Sequence, residues 1–220
     1  MSKLENVLRS KARLLEKFKA RGRTVPSGAA RAAAGGRERL PPGQHAVQNF
    51  PVLDLGIHPP FDPAAWRLTV EGAVEQPFTL SWEAFRDLPR VEQVSDFHCV
   101  TTWSRHGLRW SGVPWRAIVE RAGPGPAARF VIQSSADGYT TNLPLAALAG
   151  DDVLLADTLE GQPLPLEHGG PLRLLVPHLY GWKSAKFLTG LRFQEQDTPG
   201  FWEVRGYHDV GDPWAEERFR

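Results

Sequence analysis

Proline and glycine restrict most strongly what this chain can fold into, since 19 prolines and 21 glycines are spread over its 220 residues. Proline breaks helices because it lacks a backbone N–H donor, and glycine favours turns. The chain should therefore consist of many short elements joined by turns rather than of long helices. Its length allows one sizeable hydrophobic core or two small ones.

Alternation of apolar and polar residues predicts short β-strands through most of the chain. The predicted strands are 66–71, 91–97, 129–134, 139–143, 153–157, 172–176 and 187–193. Helical patterns are fewer and shorter, at 80–88, 113–121 and a single turn at 144–148. Ser81 is the expected N-cap of the first helix, and Pro114 fits the first turn of the second. Strands outnumber helices, so the sequence predicts a β-rich α+β fold with short helices.

The N-terminal segment, residues 1–43, differs from the rest of the chain in charge. Residues 1–40 hold 11 Lys and Arg against three Glu, a net charge of +8, whereas the remainder holds 15 against 22, a net charge of −7. Apolar residues between Leu4 and Phe18 recur near a 3.6-residue period and predict a short amphipathic helix. An Ala-, Gly- and Arg-rich stretch from Arg21 to Gly43 is typical of a flexible linker. We therefore expect one folded domain, residues 44–220.

A basic helix of this kind binds nucleic acid or a membrane surface, or else packs on its own domain or on a second subunit of a homo-oligomer. Phe18 is the only aromatic residue in the segment, which disfavours nucleic acid as a partner. No apolar run reaches the roughly 20 residues of a membrane span. The N-terminus shows neither a signal-peptide pattern nor an Arg-Arg export motif, so we expect a cytoplasmic protein.

Cys99 is the only cysteine, so no second cysteine of this chain can form a disulfide with it. Its thiol is left with packing, nucleophilic attack or metal ligation. The surrounding stretch is polar and aromatic, Asp96-Phe97-His98-Cys99-Val100-Thr101-Thr102-Trp103-Ser104-Arg105-His106. Turns predicted at Gly107, Gly112 and Pro114 would put the thiol at a strand end or in a loop, where a site can form.

Two later segments concentrate polar side chains. In Pro163–Arg173, a His and an Arg flank a Gly-Gly turn, which would let the backbone approach a ligand closely. Pro177–Lys186 holds two lysines, a serine and a histidine between two apolar strands. Donors of this kind suit an anionic, phosphate-bearing ligand.

Together with Cys99, these segments resemble the molybdopterin domain of the sulfite oxidase family, from about Gln44 to the C-terminus. The motifs that carry the resemblance, in the family's order and spacing, are Phe97-His98-Cys99, Gly112-Val113-Pro114-Trp115, Asp137-Gly138-Tyr139-Thr140-Thr141-Asn142-Leu143-Pro144, Gly161-Gln162-Pro163-Leu164-Pro165, His168-Gly169-Gly170-Pro171-Leu172-Arg173, Gly181-Trp182-Lys183-Ser184-Ala185-Lys186, Gly200-Phe201-Trp202-Glu203 and Gly206-Tyr207-His208. The resemblance implies a β-rich molybdopterin-binding fold and a molybdenum–molybdopterin cofactor.

The resemblance also implies roles for individual residues. Cys99 would ligate molybdenum, since a soft thiolate suits a sulfur-rich metal centre. Tyr139 would be the active-site tyrosine, although a half-buried strand tyrosine is the alternative. The residues implied around the pterin and its phosphate are Gln48, Asn49, Pro51, Val52, Ser134, His168, Arg173, Ser184, Ala185 and Lys186.

Gln48 separates this chain from the sulfite oxidases proper, which carry an oxyanion-binding arginine at that position. The resemblance is closest to short, stand-alone bacterial sulfite-oxidase-like proteins, including relatives of the methionine sulfoxide reductase subunit. It implies two-electron oxygen-atom transfer on a small oxo-compound of the sulfite, sulfoxide or N-oxide type. The chain shows no haem, flavin or iron–sulfur motif, so an external one-electron partner, such as a cytochrome or a quinone-linked protein, is expected.

Two other functions are compatible with the residues alone. A Cys–His hydrolase would use Cys99 as nucleophile, with His98, His106 or His178 as base. A non-catalytic, β-rich binding module would use the basic segment to dock a partner. The first predicts activity without metal, and the second predicts full folding without any cofactor.

Overall fold

The computed structural model describes residues 4–6, 8–9, 12–13 and 39–220. The described residues before residue 14 are helical, and Leu4 and Leu8, which lie one helical turn apart, pack against the hydrophobic core. This agrees with a helix that packs on its own domain. The rest of the predicted helix and most of the predicted linker lie outside the described residues.

Eleven strands in residues 39–220 form two sheets. Sheet A contains β1 (His45–Val47), β4 (Val91–His98), β5 (Trp103–Pro114), β8 (Leu154–Leu159), β9 (Gln162–Pro163) and β10 (Arg173–Leu175). Sheet B contains β2 (Arg67–Gly72), β3 (Phe78–Ser81), β6 (Phe130–Ser135), β7 (Thr140–Pro144) and β11 (Leu188–Gln194).

Both sheets are mixed. The strand order in sheet A is β1-β5-β8-β10, with β4 also paired to β5 and β9 to β8, and the order in sheet B is β3-β2-β11-β6-β7. The β1–β5 and β2–β11 pairs are parallel, and the other pairs are antiparallel. The predicted β-rich fold class is confirmed.

The helices are short, as predicted. They are α1 (Trp82–Arg86), α2 (Trp115–Ala122) and 3₁₀ turns at Leu145–Leu148, Leu166–His168, Gly181–Lys183 and Glu203–Arg205. The predicted N-cap of α1 is confirmed, since Ser81 Oγ accepts the Ala84 N–H at 3.2 Å. The α1 helix is shorter than predicted because residues 78–81 pair with β2.

The core lies where the two sheets and α2 meet. Trp115 of α2 stacks on Phe193 of β11 with ring centroids 5.8 Å apart, and Ile118 on the next turn is fully buried. On β8 all but one of the six residues are buried. Burial of each large apolar side chain stabilises the fold by about 1.5–3 kcal/mol, so α2 is held by packing more than by its own helix propensity.

Strand β5 is the largest departure from the predicted fold, because turns were predicted at Gly107 and Gly112 and both glycines lie inside this 12-residue strand. Gly107, at φ +67°, lies where the β4–β5 register shifts, and the β5–β8 register shifts beside Gly112. A Cβ on Gly112 would lie 2.1 Å from the carbonyl oxygen of Leu155. Gly107 therefore lies in a bulge of β5, whereas the unpaired residue beside Gly112 is Asp157 on β8. Both glycines stay within one strand, so the predicted turns were wrong.

Candidate active site

A pocket opens beside the turn that contains Cys99. It encloses about 810 Å³ of empty space that is continuous with solvent. Predicted site residues that line it are Pro51, Cys99, Tyr139, His168, Arg173, Ser184 and Lys186. The structure thus brings together residues that lie up to 135 positions apart in the sequence.

Cys99 begins the tight turn that joins β4 to β5. Its N–H donates to the Trp103 carbonyl at 2.9 Å, and its own carbonyl accepts the Thr102 N–H at 3.1 Å. The Cys99 Sγ lies 3.1 Å from Thr101 Oγ1. The thiol is therefore at a strand end, as predicted, and is held by a closed turn.

Arg173 is a buried cation whose charge no described residue neutralises. Its Nη1 and Nη2 donate to the carbonyls of His168 and Ser184 at 2.8 and 2.9 Å, and the guanidinium lies over the rings of Phe97 and Trp110. Among the described residues, Arg173 Nε has no hydrogen-bond partner and no carboxylate forms an ion pair with the guanidinium. Burial lowers the Arg173 pKa to about 10. A buried charge in this state costs several kcal/mol, and an anion would offset that cost.

Two more basic groups line the same pocket. Lys186 Nζ donates to the Glu167 carbonyl at 2.5 Å, and burial, followed by repulsion from Arg173, lowers the Lys186 pKa to about 8. The pKa of His168 is also lowered, first by burial and then by Lys186 and Arg173. Arg173 disfavours a charge on Lys186, and both cations disfavour a charge on His168, which is the arrangement expected of an anion site.

Carboxylates also line this pocket. Asp54 Oδ2 lies 2.7 Å from Nε2 of His58, and burial raises the pKa of Asp137. Asp54 and Asp137 each raise the Lys186 pKa, but each effect is smaller than the lowering caused by burial. The electrostatic balance around Lys186 therefore still favours an added anion.

The Gly-Gly turn serves packing within the chain. A Cβ on Gly169 would lie 2.8 Å from Lys186 Cγ, and a Cβ on Gly170 would lie 2.1 Å from the Leu164 carbonyl oxygen. The turn thus approaches the protein's own residues closely, and a close approach to a ligand stays a prediction.

Tyr139 lies in the pocket wall just before β7. Its hydroxyl donates to the Trp182 carbonyl at 2.6 Å. Burial, and then the charge of Glu203, raises the Tyr139 pKa well above its usual value. The phenol is therefore neutral and its proton is directed to the protein backbone.

Aromatic side chains form much of the remaining wall, and the sequence motifs did not single them out as a group. They are Phe50, Phe97, Trp103, Trp182 and Trp202. The signal that could have found them is the abundance of tryptophan, with eight in 220 residues. Phe50 also stacks on His168 with ring centroids 4.4 Å apart, which orients the imidazole.

The other predicted site residues lie outside this lining. Gln48, Asn49 and Val52 are exposed on the segment that leads to Pro51, and Ser134 is half-buried on β6. Ala185 is buried, and its N–H donates to Gln133 Oε1 at 3.0 Å. A pterin role for these five residues stays a prediction.

The hydrogen bonds around His98 and His178, two of the three candidate bases, weigh against their use in a Cys–His hydrolase. Nδ1 of His98 bonds to Ser104 Oγ at 2.8 Å, and Nε2 of His178 bonds to the Ala147 carbonyl at 2.9 Å. Burial lowers the His98 pKa to about 4, which makes it a weak base. In the described part of the chain, the thiol is hydrogen-bonded to Thr101 and not to a histidine.

A metal-ligand cluster and a membrane-spanning helix are both absent from the described part of the chain. No group of three His, Cys, Asp or Glu side chains there is placed to hold a metal ion. None of its helices is long and apolar enough to span a membrane.

Comparison with known proteins places this pocket in a family context. Residues 55–202 match the family model described as "Oxidoreductase molybdopterin binding domain". The "Uncharacterized oxidoreductase YuiH" of Bacillus subtilis (strain 168) is 47% identical over 182 residues, which cover 82% of this chain and 92% of that protein.

More distant relatives are longer than this chain. The "Protein-methionine-sulfoxide reductase catalytic subunit MsrP" of Ralstonia nicotianae is 30% identical over 165 residues, which cover 68% of this chain and 50% of that protein. Among solved structures, the sulfane dehydrogenase SoxCD from Paracoccus pantotrophus superposes with a TM-score of 0.58 at 24% identity, covering 63% of this chain and 40% of that one. The structural likeness supports the fold.

Proposed function

The chain belongs to the oxidoreductase molybdopterin-binding domain family, within the sulfite oxidase group, and from this membership we propose that it is a molybdenum enzyme that transfers oxygen atoms. The substrate would be a small oxo-compound of the sulfite, sulfoxide or N-oxide type, and Cys99 would be the protein ligand to molybdenum. The observation that carries the proposal is that one pocket is lined both by the single thiol and by Arg173, whose charge no described residue neutralises.

The basic groups would hold the cofactor by its phosphate. Arg173 offers a buried, unused Nε donor, Lys186 offers an ammonium, and His168 can donate from its imidazole. When bound, the molybdopterin cofactor supplies the two-electron redox couple and the oxygen-atom exchange.

The chain's own residues would prepare the pocket for this chemistry. The apolar aromatic wall lowers the local dielectric and would so strengthen the electrostatic interactions inside. Tyr139 stays protonated, and its hydrogen bond to the Trp182 carbonyl fixes the ring in the wall. The solvent-connected opening admits a small molecule and would let an external one-electron carrier, such as a cytochrome, approach.

Gln48 bears on the choice of substrate. Its neutral, exposed side chain cannot supply the cationic site that sulfite oxidases use for the sulfite oxyanion. Sulfite is therefore expected to be a poor substrate compared with neutral sulfoxides or N-oxides. A micromolar apparent KM for sulfite would contradict this preference.

The test is to produce the protein in a host that makes molybdopterin, and to measure metal, pterin and activity. We expect about one molybdenum and one pterin per chain, and reduction of sulfoxides or N-oxides with reduced viologen dye as electron donor. Stoichiometric zinc, or no metal after purification in that host, would refute the proposal.

Matched variants separate ligation from cofactor binding. Cys99→Ser should abolish oxygen transfer and keep most of the pterin, because the groups that hold the phosphate lie elsewhere. Lys186→Gln should lose pterin, because it removes a charge-assisted hydrogen bond worth about 1.5–3 kcal/mol. Arg192→Gln is the control, since Arg192 lies on the surface and pairs with Glu71. Full turnover by Cys99→Ser would exclude the thiolate as a ligand.

A further inference from the structure

Side chains from two distant parts of the chain, and one from within the turn, hold the Cys99 turn. Gln44, before β1, donates from Nε2 to the Cys99 carbonyl at 3.1 Å. Arg218, near the C-terminus, donates from Nη1 to the Val100 carbonyl at 3.0 Å. Thr101, within the turn, places its Oγ1 3.1 Å from the Cys99 Sγ. We refer to Gln44, Thr101 and Arg218 as the thiol collar.

The collar is built into the fold. Arg218 is 2% exposed, and its Nη2 donates to the Pro42 carbonyl at 3.2 Å, so one side chain joins the C-terminal segment, the start of the domain and the Cys99 turn. Gln44 also accepts a hydrogen bond from Ser104 Oγ at 3.4 Å through its Oε1. These second contacts fix each donor in place.

Arg218 brings a positive charge to the turn. Its guanidinium lies over the Tyr180 ring, 4.9 Å from the centroid, and its Nη2 lies 3.9 Å from Glu216 Oε1. Because a guanidinium stays protonated in proteins, a cationic group lies one hydrogen bond from the turn at a buried, low-dielectric position.

We propose that the thiol collar sets the reduction potential of the metal held by Cys99, an inference that rests on the proposed function. A hydroxyl that donates to a thiolate withdraws electron density from the sulfur, and a buried cation nearby favours the electron-rich, reduced metal. Thr101 and Arg218 thus both raise the potential. Gln44 is a positioning residue that fixes the orientation of the turn.

The test measures the midpoint potential of the molybdenum couple by redox titration followed by electron paramagnetic resonance, using molybdenum-loaded enzyme. Thr101→Val, which keeps the shape and removes the hydroxyl, should lower the potential, whereas Thr101→Ser should keep it. Arg218→Met should lower the midpoint potential, and Arg218→Lys should leave it close to the wild-type value. Thr79→Val is the control, because Thr79 lies on β3 in sheet B and pairs with Thr69.

The outcomes distinguish the two proposals. Equal potentials in wild type, Thr101→Val and Arg218→Met, all fully loaded, would overturn the role of the collar and leave the proposed function standing. Wild-type enzyme without molybdenum would overturn both. The Thr101 pair decides the question even if Arg218→Met does not fold, because it changes one hydroxyl at the pocket edge.

Discussion

Lys183 and Arg173 are both buried cations, only ten residues apart, and the protein treats them in opposite ways. Lys183 Nζ lies 2.6 Å from Glu203 Oε1 and also donates to the Asn142 carbonyl and Oδ1 at 2.8 and 3.1 Å. Arg173 has backbone carbonyls and aromatic faces around it but no described carboxylate partner. Glu203 neutralises the Lys183 charge from within the fold, whereas no described carboxylate neutralises the Arg173 charge.

His98 shows a third way to accommodate a buried base. It is 4% exposed, and burial lowers its pKa to about 4, so the imidazole is neutral at neutral pH. Only Arg173 both keeps its charge and lacks a counter-ion among the described residues, and of the three side chains only Arg173 lines the pocket. A buried base without compensation is thus more informative about function than burial alone.

The contrast between Lys183 and Arg173 should be clearest in the stability of a Lys183 variant. Lys183→Met should reduce the free energy of unfolding by about 3–5 kcal/mol, because it leaves the Glu203 carboxylate buried without a counter-ion. The double variant Lys183→Met/Glu203→Leu should recover most of that loss. Urea denaturation followed by tryptophan fluorescence measures both, and a loss below about 1 kcal/mol in the single variant would contradict the role of the pair.

Acid should affect stability through His98. The folded pKa lies below the ordinary value of 6.5, so the unfolded chain binds a proton first as the pH falls. Stability should therefore decrease as the pH is lowered from about 6.5 to about 4, by on the order of 3 kcal/mol. His98→Gln should flatten this part of the pH profile, whereas His45→Gln, at an exposed position on β1, should not. Identical slopes in the two variants would rule out His98 as the source.

Arg173 should behave unlike Lys183. Arg173→Met loses two hydrogen bonds to carbonyls but also removes an uncompensated charge, so the free energy of unfolding should fall by only about 1–2 kcal/mol. Pterin content should fall below about a tenth of the wild-type value, given the loss of a charged phosphate donor. If Arg173→Met lost as much stability as Lys183→Met, or kept all of its pterin, the proposed difference between the two cations would be wrong.

Lys186 should give the smallest effect. Its folded pKa of about 8 lies below the ordinary 10.5, so the unfolded chain binds more protons between these values and stability should rise with pH there. The rise between about pH 8 and 9.5 should be about 1 kcal/mol after allowance for solvent screening. Comparing cofactor-free wild type with Lys186→Gln isolates this contribution, and parallel pH profiles for the two proteins would contradict it.

The sequence predicted strands well where a half-buried strand gives a clear alternation. The observed bounds of β4, β6 and β11 lie within one residue of the predicted ones. Strands β1, β3 and β9 are two to four residues long, too short to show a period. Strand β5 was missed because a glycine bulge and a turn have the same composition, and only the pairing partner distinguishes them.

The candidate site, like the fold, was predicted only in part from the sequence. Cys99, Arg173 and Lys186 were predicted from their motifs, and all three line the pocket. The contrast between Lys183 and Arg173 was not predictable, because Glu203 lies 20 residues after Lys183 and nothing local marks it as a partner. Arg218 was missed for the same reason, since 118 residues separate it from Val100. Long-range pairing of polar groups leaves no periodic signal in a single sequence.

The strand order of sheet B has a consequence for the timing of folding. Strand β11 lies in the middle of the sheet, yet it is the last strand to be synthesised, and Gly190 pairs with Thr69, 121 residues earlier. Until it arrives, β2–β3 and β6–β7 are two separate hairpins, and pairing at such long sequence separation is slow. The pocket wall at 181–186 comes immediately before β11 in the chain. The pocket therefore closes only after most of residues 39–220 have emerged from the ribosome, so an occupant can enter only after that stage.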